Sequence, residues 1–293
     1  MMKGKVFVVT GATSGVGKAL ALDIAQTGAT LVMVAHDADH GSSALKEIAL
    51  ATQNPNIDLQ LCDLAILSSV RNLAEILKSR YDKIDALINS AGVYKRKRVT
   101  TVDGYEEMFA ANHLGPFLLT NLLLEWLQAA VQVNGSAHIL NITAPSTTLL
   151  DFEDLQSERN FNSLSTFGAT KTANLLFTFA LARRLENTGI TVNATHPGVV
   201  RSGLMKESFA PLRLLTWLIS GSPRRATESI LPLVVAPEFE KTTGKFFYRG
   251  KEIEPPAHAY DQNTQQRLWE ISESLTDLTT TKGSMPINDP HLQ

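Results

Sequence analysis

The sequence predicts one α/β domain built on a doubly wound parallel sheet of about seven strands, with helices on both faces. Three observations carry this. Apolar, β-branched runs of strand length alternate with longer segments of helical period, a glycine-rich turn separates the first run from the first helical segment, and no linker divides the 293 residues. Buried strands joined by crossover helices pack as a parallel sheet covered on both sides, and right-handed crossovers wind it in two directions. A chain of this length with 44% hydrophobic residues can bury a full core.

The expected strands are, in order, Val6 to Thr10, Thr30 to Ala35, Ile57 to Leu61, Ile84 to Asn89, Ala137 to Thr143, Ile190 to His196 and a seventh at Lys245 to Tyr248. Helical patterns fill the intervals. The most apolar of them, Phe117 to Val133, is interrupted by Asn121, Glu125 and Gln128, so it reads as a buried helix and not as a membrane span. The domain is expected to occupy residues 1–275. The tail 276–293 is polar, ends in MPINDPHLQ and is expected to be disordered.

Composition excludes several classes of function. The net charge of −2 comes from interspersed acids and bases, without the basic excess that a phosphate-backbone binder needs, so no nucleic-acid partner is expected. One cysteine, Cys62, permits neither an internal disulfide nor a cysteine-rich metal site, which suits a reducing compartment, with the cytoplasm as the expected location. MMKGK runs directly into the strand-like VFVVT, so neither a signal peptide nor an integral membrane segment is expected. His36, His40, His113, His138 and His196 lack metal-ligand spacing, and no metal is expected.

The turn TGATSGVG, Thr10 to Gly17, is the strongest functional signal. A turn that brings backbone N–H groups against a phosphate cannot tolerate β-carbons, and Gly11, Gly15 and Gly17 supply that freedom, while the following helix N-terminus adds a favourable dipole. Its spacing, T-G-x-x-x-G-x-G, differs from the commoner G-x-G-x-x-G. Further along stand CDL (Cys62 to Leu64), NSAG (Asn89 to Gly92), NHLGPFLLT, TKTANLLFT, HPGVVRSGL and the late TGKFFYRG and LWEIS. In order and spacing, from about Lys3 to Ser274, these segments resemble the short-chain dehydrogenase/reductase family, in its retinol-dehydrogenase-like branch. The resemblance implies a single Rossmann-type domain, an NAD(P)(H)-dependent oxidoreductase and a lipophilic carbonyl or alcohol substrate.

Carried over residue by residue, the resemblance implies cofactor contacts from Gly11, Thr13, Ser14, Gly15, Val16 and Gly17 of the turn. Asp63 and Leu64 would lie at the adenine, Asn89, Ala91 and Gly92 on the ribose side, and Pro197, Gly198, Val200 and Ser202 at the nicotinamide amide. Each has a simpler reading: Asp63 can cap the following helix, and Pro197-Gly198 can be a turn only. The choice between NAD and NADP falls at the end of the second strand, where an acid binds a ribose 2′-hydroxyl and a base accommodates a 2′-phosphate. Ala35 stands where an acid is found in NAD-preferring relatives, and His36 where retinol-dehydrogenase-like members carry a phosphate-reading arginine. NADP is favoured, with NAD as the alternative.

The family's proton-transfer pair is Y-x-x-x-K, whose spacing puts both side chains on one helix face. Here it reads Phe167-Gly168-Ala169-Thr170-Lys171. NITAPS aligns with the segment that carries the family's catalytic serine and places Ala144 there. The resemblance therefore implies a catalytic set of Asn112 and Lys171 with Ala144 at the serine position and Phe167 at the tyrosine position. Thr143 is expected to point away from the site, and Ser163 and Thr170, on about the same helix face as Phe167, remain open as replacements. Two hydroxyl deletions that preserve shape suggest an inactivated enzyme or a natural protein that still uses its pocket; a non-catalytic NADP-binding regulator or scaffold and an enzyme of altered chemistry stay open beside it.

The segment FAPLRLLTWLISGSP, with Phe209, Leu212, Leu215, Trp217 and Leu218, reads as an apolar substrate lid near 203–222. A core helix or a subunit interface fits it equally, so a homo-oligomer is open. The basic run Lys95 to Arg98 reads as a solvated loop.

Overall fold

A computed structural model describes residues 2–200, 204 and 220–278. The first seven strands are parallel: β1 (Val6–Thr10), β2 (Thr30–Ala35), β3 (Ile57–Leu61), β4 (Ala86–Asn89), β5 (Ala137–Ile142), β6 (Ile190–His196) and β7 (Phe246–Tyr248). An antiparallel two-residue strand, β8 (Lys251–Glu252), closes one edge, so the sheet has eight strands in the order β3-β2-β1-β4-β5-β6-β7-β8. The eighth is too short to leave an alternating pattern in the sequence.

Helices α1 (Gly15–Gln26), α2 (Ala38–Thr52), α3 (Leu67–Arg80), α4 (Glu107–Phe109), α5 (Gly115–Leu122), α6 (Leu124–Asn134), α7 (Ser163–Arg184), α8 (Pro223–Ile230), α9 (Pro232–Val235) and α10 (Gln262–Leu275) fall into two layers on the sheet. The period of two along β1 explains the layers. Val6 and Val8 point into a core with Leu73 and Leu77 of α3, Phe117 of α5 and Trp269 of α10. Phe7 and Val9 point to the opposite face, against Leu20 and Ile24 of α1, Ile48 of α2 and Ile230 of α8.

The apolar stretch beginning at Phe117 is two buried helices and not one. A break at Leu123 bends the pair α5 and α6 so that Leu118, Leu119 and Leu127 enter the core. Among the described residues no single helix is long and apolar enough to cross a membrane, although Glu107–Leu122 with Leu124–Asn134, bent by 52°, would pass on length and composition. The close approach of α5 to the end of β3 requires Gly115, because a β-carbon there would overlap the Leu64 carbonyl oxygen.

The ordered domain runs past the boundary read from the sequence. Thr276 is fully buried, its carbonyl accepts a 2.6 Å hydrogen bond from Arg71 Nη2, and Leu278 packs on the core. The signal missed was the partner 205 residues away. Residues 279–293 of the expected tail, and most of the expected lid, lie outside the described residues.

Two histidines are built into the interior as neutral rings. His113 packs against Phe109, Phe117 and Phe177 with Nε2 2.8 Å from Ser272 Oγ, and His138 Nδ1 lies 2.8 Å from Thr191 Oγ1. Burial pushes His113 down to about 3 and His138 to about 4, from an ordinary 6.5. The unfolded chain therefore binds more protons than the folded one between those values, and stability falls as pH drops below 6.5. Each histidine should cost about 2 kcal/mol between pH 6.5 and 5. Guanidinium unfolding at pH 7 and pH 5 should show this drop, and His138→Asn should remove about half of it.

Candidate functional site

The C-terminal ends of β1 and β4 meet where the order of crossovers reverses, the place where an open α/β sheet leaves a crevice. The first joint there is the Thr10 hydroxyl. It accepts from Ser90 N at 3.0 Å and Ala91 N at 3.1 Å, clamping the glycine turn to the loop after β4. Gly11, at φ +68°, completes the contact, since a β-carbon on it would stand 2.7 Å from Ala91 Cα. A β-carbon on Gly17 would overlap the Gly11 carbonyl oxygen, so α1 can start this close to β1 only with glycine. Ser14 occupies the N-cap in extended conformation without a capping side-chain hydrogen bond, and the first turn of α1 holds no acid. Its N–H groups and dipole are available to an anion.

A cavity of about 860 Å³ opens over this turn. Its wall includes Gly11, Thr13, Ser14, Gly15, Val16, Gly17, His36, Asp63, Leu64, Ala91, Gly92, Ala144, Phe167, Lys171, Pro197, Gly198 and Val200. Tertiary folding thus brings together most of the residues singled out in the sequence. Asn89 and Asn112 are not on that wall. Asn89 Nδ2 donates to Thr120 Oγ1 at 3.1 Å and Asn141 Oδ1 at 2.9 Å, tying β4 to its neighbours beneath the site. Asn112, in a π-helical turn (Ala110–Leu114), braces the wall from behind: Oδ1 accepts from Val93 N at 2.7 Å, and Nδ2 donates to Val93 O at 3.0 Å and Thr170 Oγ1 at 3.1 Å. Ser202 lies outside the described residues.

At one end of the cavity, His36 is largely exposed with Nδ1 3.6 Å from Asp63 Oδ2. Asp63 also accepts from Ala65 N through Oδ1 at 2.9 Å, so it shapes its own turn while facing the cavity; the N-cap of α3 is Ile66. Asp37 turns away. It caps α2, accepting from His40 N at 2.8 Å, and that backbone hydrogen bond, with one from the His40 ring, holds its carboxyl below the ordinary range.

At the other end, Lys171 and Phe167 stand one turn apart on α7, with Lys171 Nζ 5.0 Å from the centre of the phenyl ring. Burial lowers the Lys171 ammonium to about 8, and no ion pair offsets it among the described residues. Of the two hydroxyls considered as replacements, one is held as an acceptor and the other donates to the backbone. Ser163 Oγ accepts from Tyr94 OH at 2.9 Å, and Thr170 Oγ1 donates to Phe167 O at 2.8 Å. Thr143, expected to point away, is on the cavity wall just past the end of β5 at Ile142, and its hydroxyl donates to Lys171 O at 3.1 Å. His196 stacks on Tyr248 at 5.3 Å, and burial lowers its imidazole.

Glu107 on the wall was not singled out in the sequence. Lys95 Nζ and Glu107 Oε1 form a 3.2 Å ion pair on the cavity wall, while Arg98 pairs with Glu158 at 3.5 Å, so two of the four residues of the basic run are anchored and not simply solvated. Charge periodicity could not reveal this, because Glu107 is twelve residues beyond Lys95. Cys62 also reaches the wall as an inert thiol, pushed up to about 11 by burial. Among the described residues no three His, Cys, Asp or Glu side chains cluster as metal ligands.

Residues 5–212 match the family model for short chain dehydrogenase. The chain belongs to the short chain dehydrogenase family. It is 37% identical to retinol dehydrogenase 13 of Homo sapiens, over 94% of this chain and 85% of that one, and 34% identical to human retinol dehydrogenase 14, over 95% and 88%. Among solved structures, an uncharacterised protein from Mycobacterium Paratuberculosis superposes with a TM-score of 0.72 at 29% identity, covering 94% of each chain. A 3-ketoacyl-(acyl-carrier-protein) reductase from Brucella melitensis, 24% identical over 85% of this chain and 97% of its own, shares the fold at a TM-score of 0.67.

Within this member of the short chain dehydrogenase family, Asn112 links the wall of the cavity to α7. Asn112→Ala would strand the Val93 N–H and carbonyl, a loss of about 2–6 kcal/mol at 1–3 kcal/mol per unsatisfied group. Urea unfolding should register that loss, and Asn112→Asp, which keeps the shape and the acceptor but forfeits both donors, should fall between the two.

Proposed function

We propose that the chain binds a nicotinamide dinucleotide, NADP in preference to NAD, across the glycine turn, and that its cavity keeps the shape for a lipophilic carbonyl or alcohol while its acid–base chemistry is impaired. The observation that carries this reading is one cavity wall that joins the glycine cradle to Lys171 while residues 144 and 167 contribute no hydroxyl.

The cradle fits the cofactor on physical grounds. Positions 11 and 17 exclude β-carbons, and the uncapped N–H groups of α1 suit a pyrophosphate. Asp63 and Leu64 would hold the adenine end, Ala91 and Gly92 would pass beneath the ribose, and Pro197, Gly198 and Val200 would receive the carboxamide. A bound nicotinamide supplies or accepts a hydride at its C4. The protein's share is to orient the substrate carbonyl, exclude water and move one proton at its oxygen. With alanine at 144 and phenylalanine at 167 that proton has no hydroxyl donor on the wall at those positions, and the hydroxyls of Thr143, Ser163 and Thr170 are already hydrogen-bonded elsewhere.

The preference for NADP rests on His36. It is exposed beside the cavity, Ala35 offers no carboxylate, and Asp37 is committed to capping α2. An imidazole offers a 2′-phosphate single ring N–H groups where a guanidinium offers a planar fork, so the preference is modest. A second reading, a binding protein without turnover, draws on the same spent hydroxyls and differs in what restoration does.

Phe167→Tyr combined with Ala144→Ser should raise NADPH-dependent reduction of lipophilic aldehydes and ketones by about 10²–10⁴-fold, the usual worth of a positioned general acid. Silence of the double variant across a broad carbonyl panel would favour the binding protein. Titration of the unaltered chain by NADPH fluorescence should saturate; no binding of either dinucleotide at roughly millimolar concentration, where affinity is only about 4 kcal/mol, would overturn the cofactor reading. His36→Arg should tighten NADPH about tenfold, the worth of one charge-assisted hydrogen bond, and leave NADH unchanged.

A further inference from the structure

Lys171 is a buried amine without the partners that buried amines ordinarily require. It is 7% exposed, it lines the cavity, and no hydrogen bond or ion pair to Nζ is formed among the described residues. Its one polar-type contact is the face of Phe167 at 5.0 Å, which stabilises an ammonium only weakly. The charged groups that share the wall are engaged elsewhere: Glu107 with Lys95, and Asp63 with the His36 side and its own turn. The Asn112 amide is consumed by Val93 and Thr170. A charge taken out of water without a counter-charge gives up its proton, and burial brings this ammonium down to about 8.

A neutral amine in an apolar cavity is a nucleophile toward carbonyl carbon. Phe167 lies against it, Val93, Ile142 and Val200 line the same cavity, and Gly92 lies close enough that a β-carbon there would stand 3.6 Å from Nζ. A flexible four-carbon stem carries the amine, and the cavity of about 860 Å³ exceeds what a medium-chain aldehyde needs. The neighbouring phenol that would hold this nitrogen in a proton relay is missing, since residue 167 is phenylalanine.

We propose that Lys171, in the cofactor-free protein, captures lipophilic aldehydes as an imine, so that the cavity serves as a reversible covalent aldehyde site. The substrate class rests on the lipophilic-cavity reading above. The Lys171 nitrogen lone pair forms a C–N bond with the aldehyde carbon as the carbonyl π pair moves to oxygen. Two protons, both from the amine in the net balance, pass to that oxygen, which leaves as water while C=N forms. Nothing is oxidised or reduced, and water reverses the step.

Nonanal with sodium cyanoborohydride at pH 7.5 tests it on the full chain, because hydride addition to C=N leaves a stable secondary amine. Peptide mapping by mass spectrometry should find Lys171 alkylated at least about tenfold faster than any surface lysine. The neutral fraction of an amine near pKa 8 exceeds that of an ordinary lysine by roughly 10²-fold at this pH. NADPH should slow the labelling, and Lys171→Arg should abolish it at that peptide while the circular dichroism spectrum stays that of the parent. Alkylation confined to surface lysines, with both nonanal and the small probe propanal, would overturn the proposal without touching the cofactor reading, which the fluorescence titration tests separately. Labelling of Lys171 by propanal and not by nonanal would overturn the lipophilic class and leave the amine chemistry standing.

Discussion

The clamp between Thr10 and the loop after β4 is the constraint on which the site depends. One side-chain oxygen takes two backbone N–H groups that would otherwise be stranded at the switch in strand order, and glycine at 11 lets the two chains touch. Buried backbone donors left unpaired are costly, so the loop carrying Ser90, Ala91 and Gly92 is held against the glycine turn and not merely near it. From that joint the floor of the cavity follows.

The opposite wall is placed by a second set of buried polar contacts. Asn112 sits in a π-helical turn, where the register shift lets one amide reach both backbone groups of Val93 and the Thr170 hydroxyl. Gly115, the first residue of the helix that follows this turn, lets α5 pass over the chain beyond β3 at Leu64. The wall, the end of the cavity at Leu64 and α7 are thereby coupled through close-packed contacts.

Against that scaffold, the proposed reading of the Lys171 end turns on the residues at 144 and 167, neither of which carries a side-chain hydroxyl. Phenylalanine and alanine fill nearly the volume of tyrosine and serine, so the cavity keeps its shape while the hydroxyls of the neighbouring threonines and serine are drawn into structural bonds. What remains chemically distinctive is a buried amine with no ion pair among the described residues. The same absence that weakens one reaction in our reading leaves a group suited to another.

Much of this was legible in the amino-acid order. Strand runs bury both faces and so appear as continuous apolar segments, and the glycine spacing reports a backbone approach that only glycine permits; both are local consequences of covalent geometry. The eighth strand, the anchoring of Thr276 to Leu278 beyond α10 and the Lys95–Glu107 pair were not legible, because each depends on partners brought close only by folding. The same holds for the split between wall and brace. Asn89 and Asn112 stand in motifs beside residues that line the cavity, yet their side chains point behind it, and a one-dimensional pattern does not record direction. By itself the sequence determined the sheet, the glycine cradle and the absence of two hydroxyls. Only the tertiary structure decided that Thr143 and Thr170 donate their hydroxyls to backbone carbonyls of α7 and that Lys171 has no counter-charge among the described residues, because hydrogen-bond partners and desolvation are properties of packing.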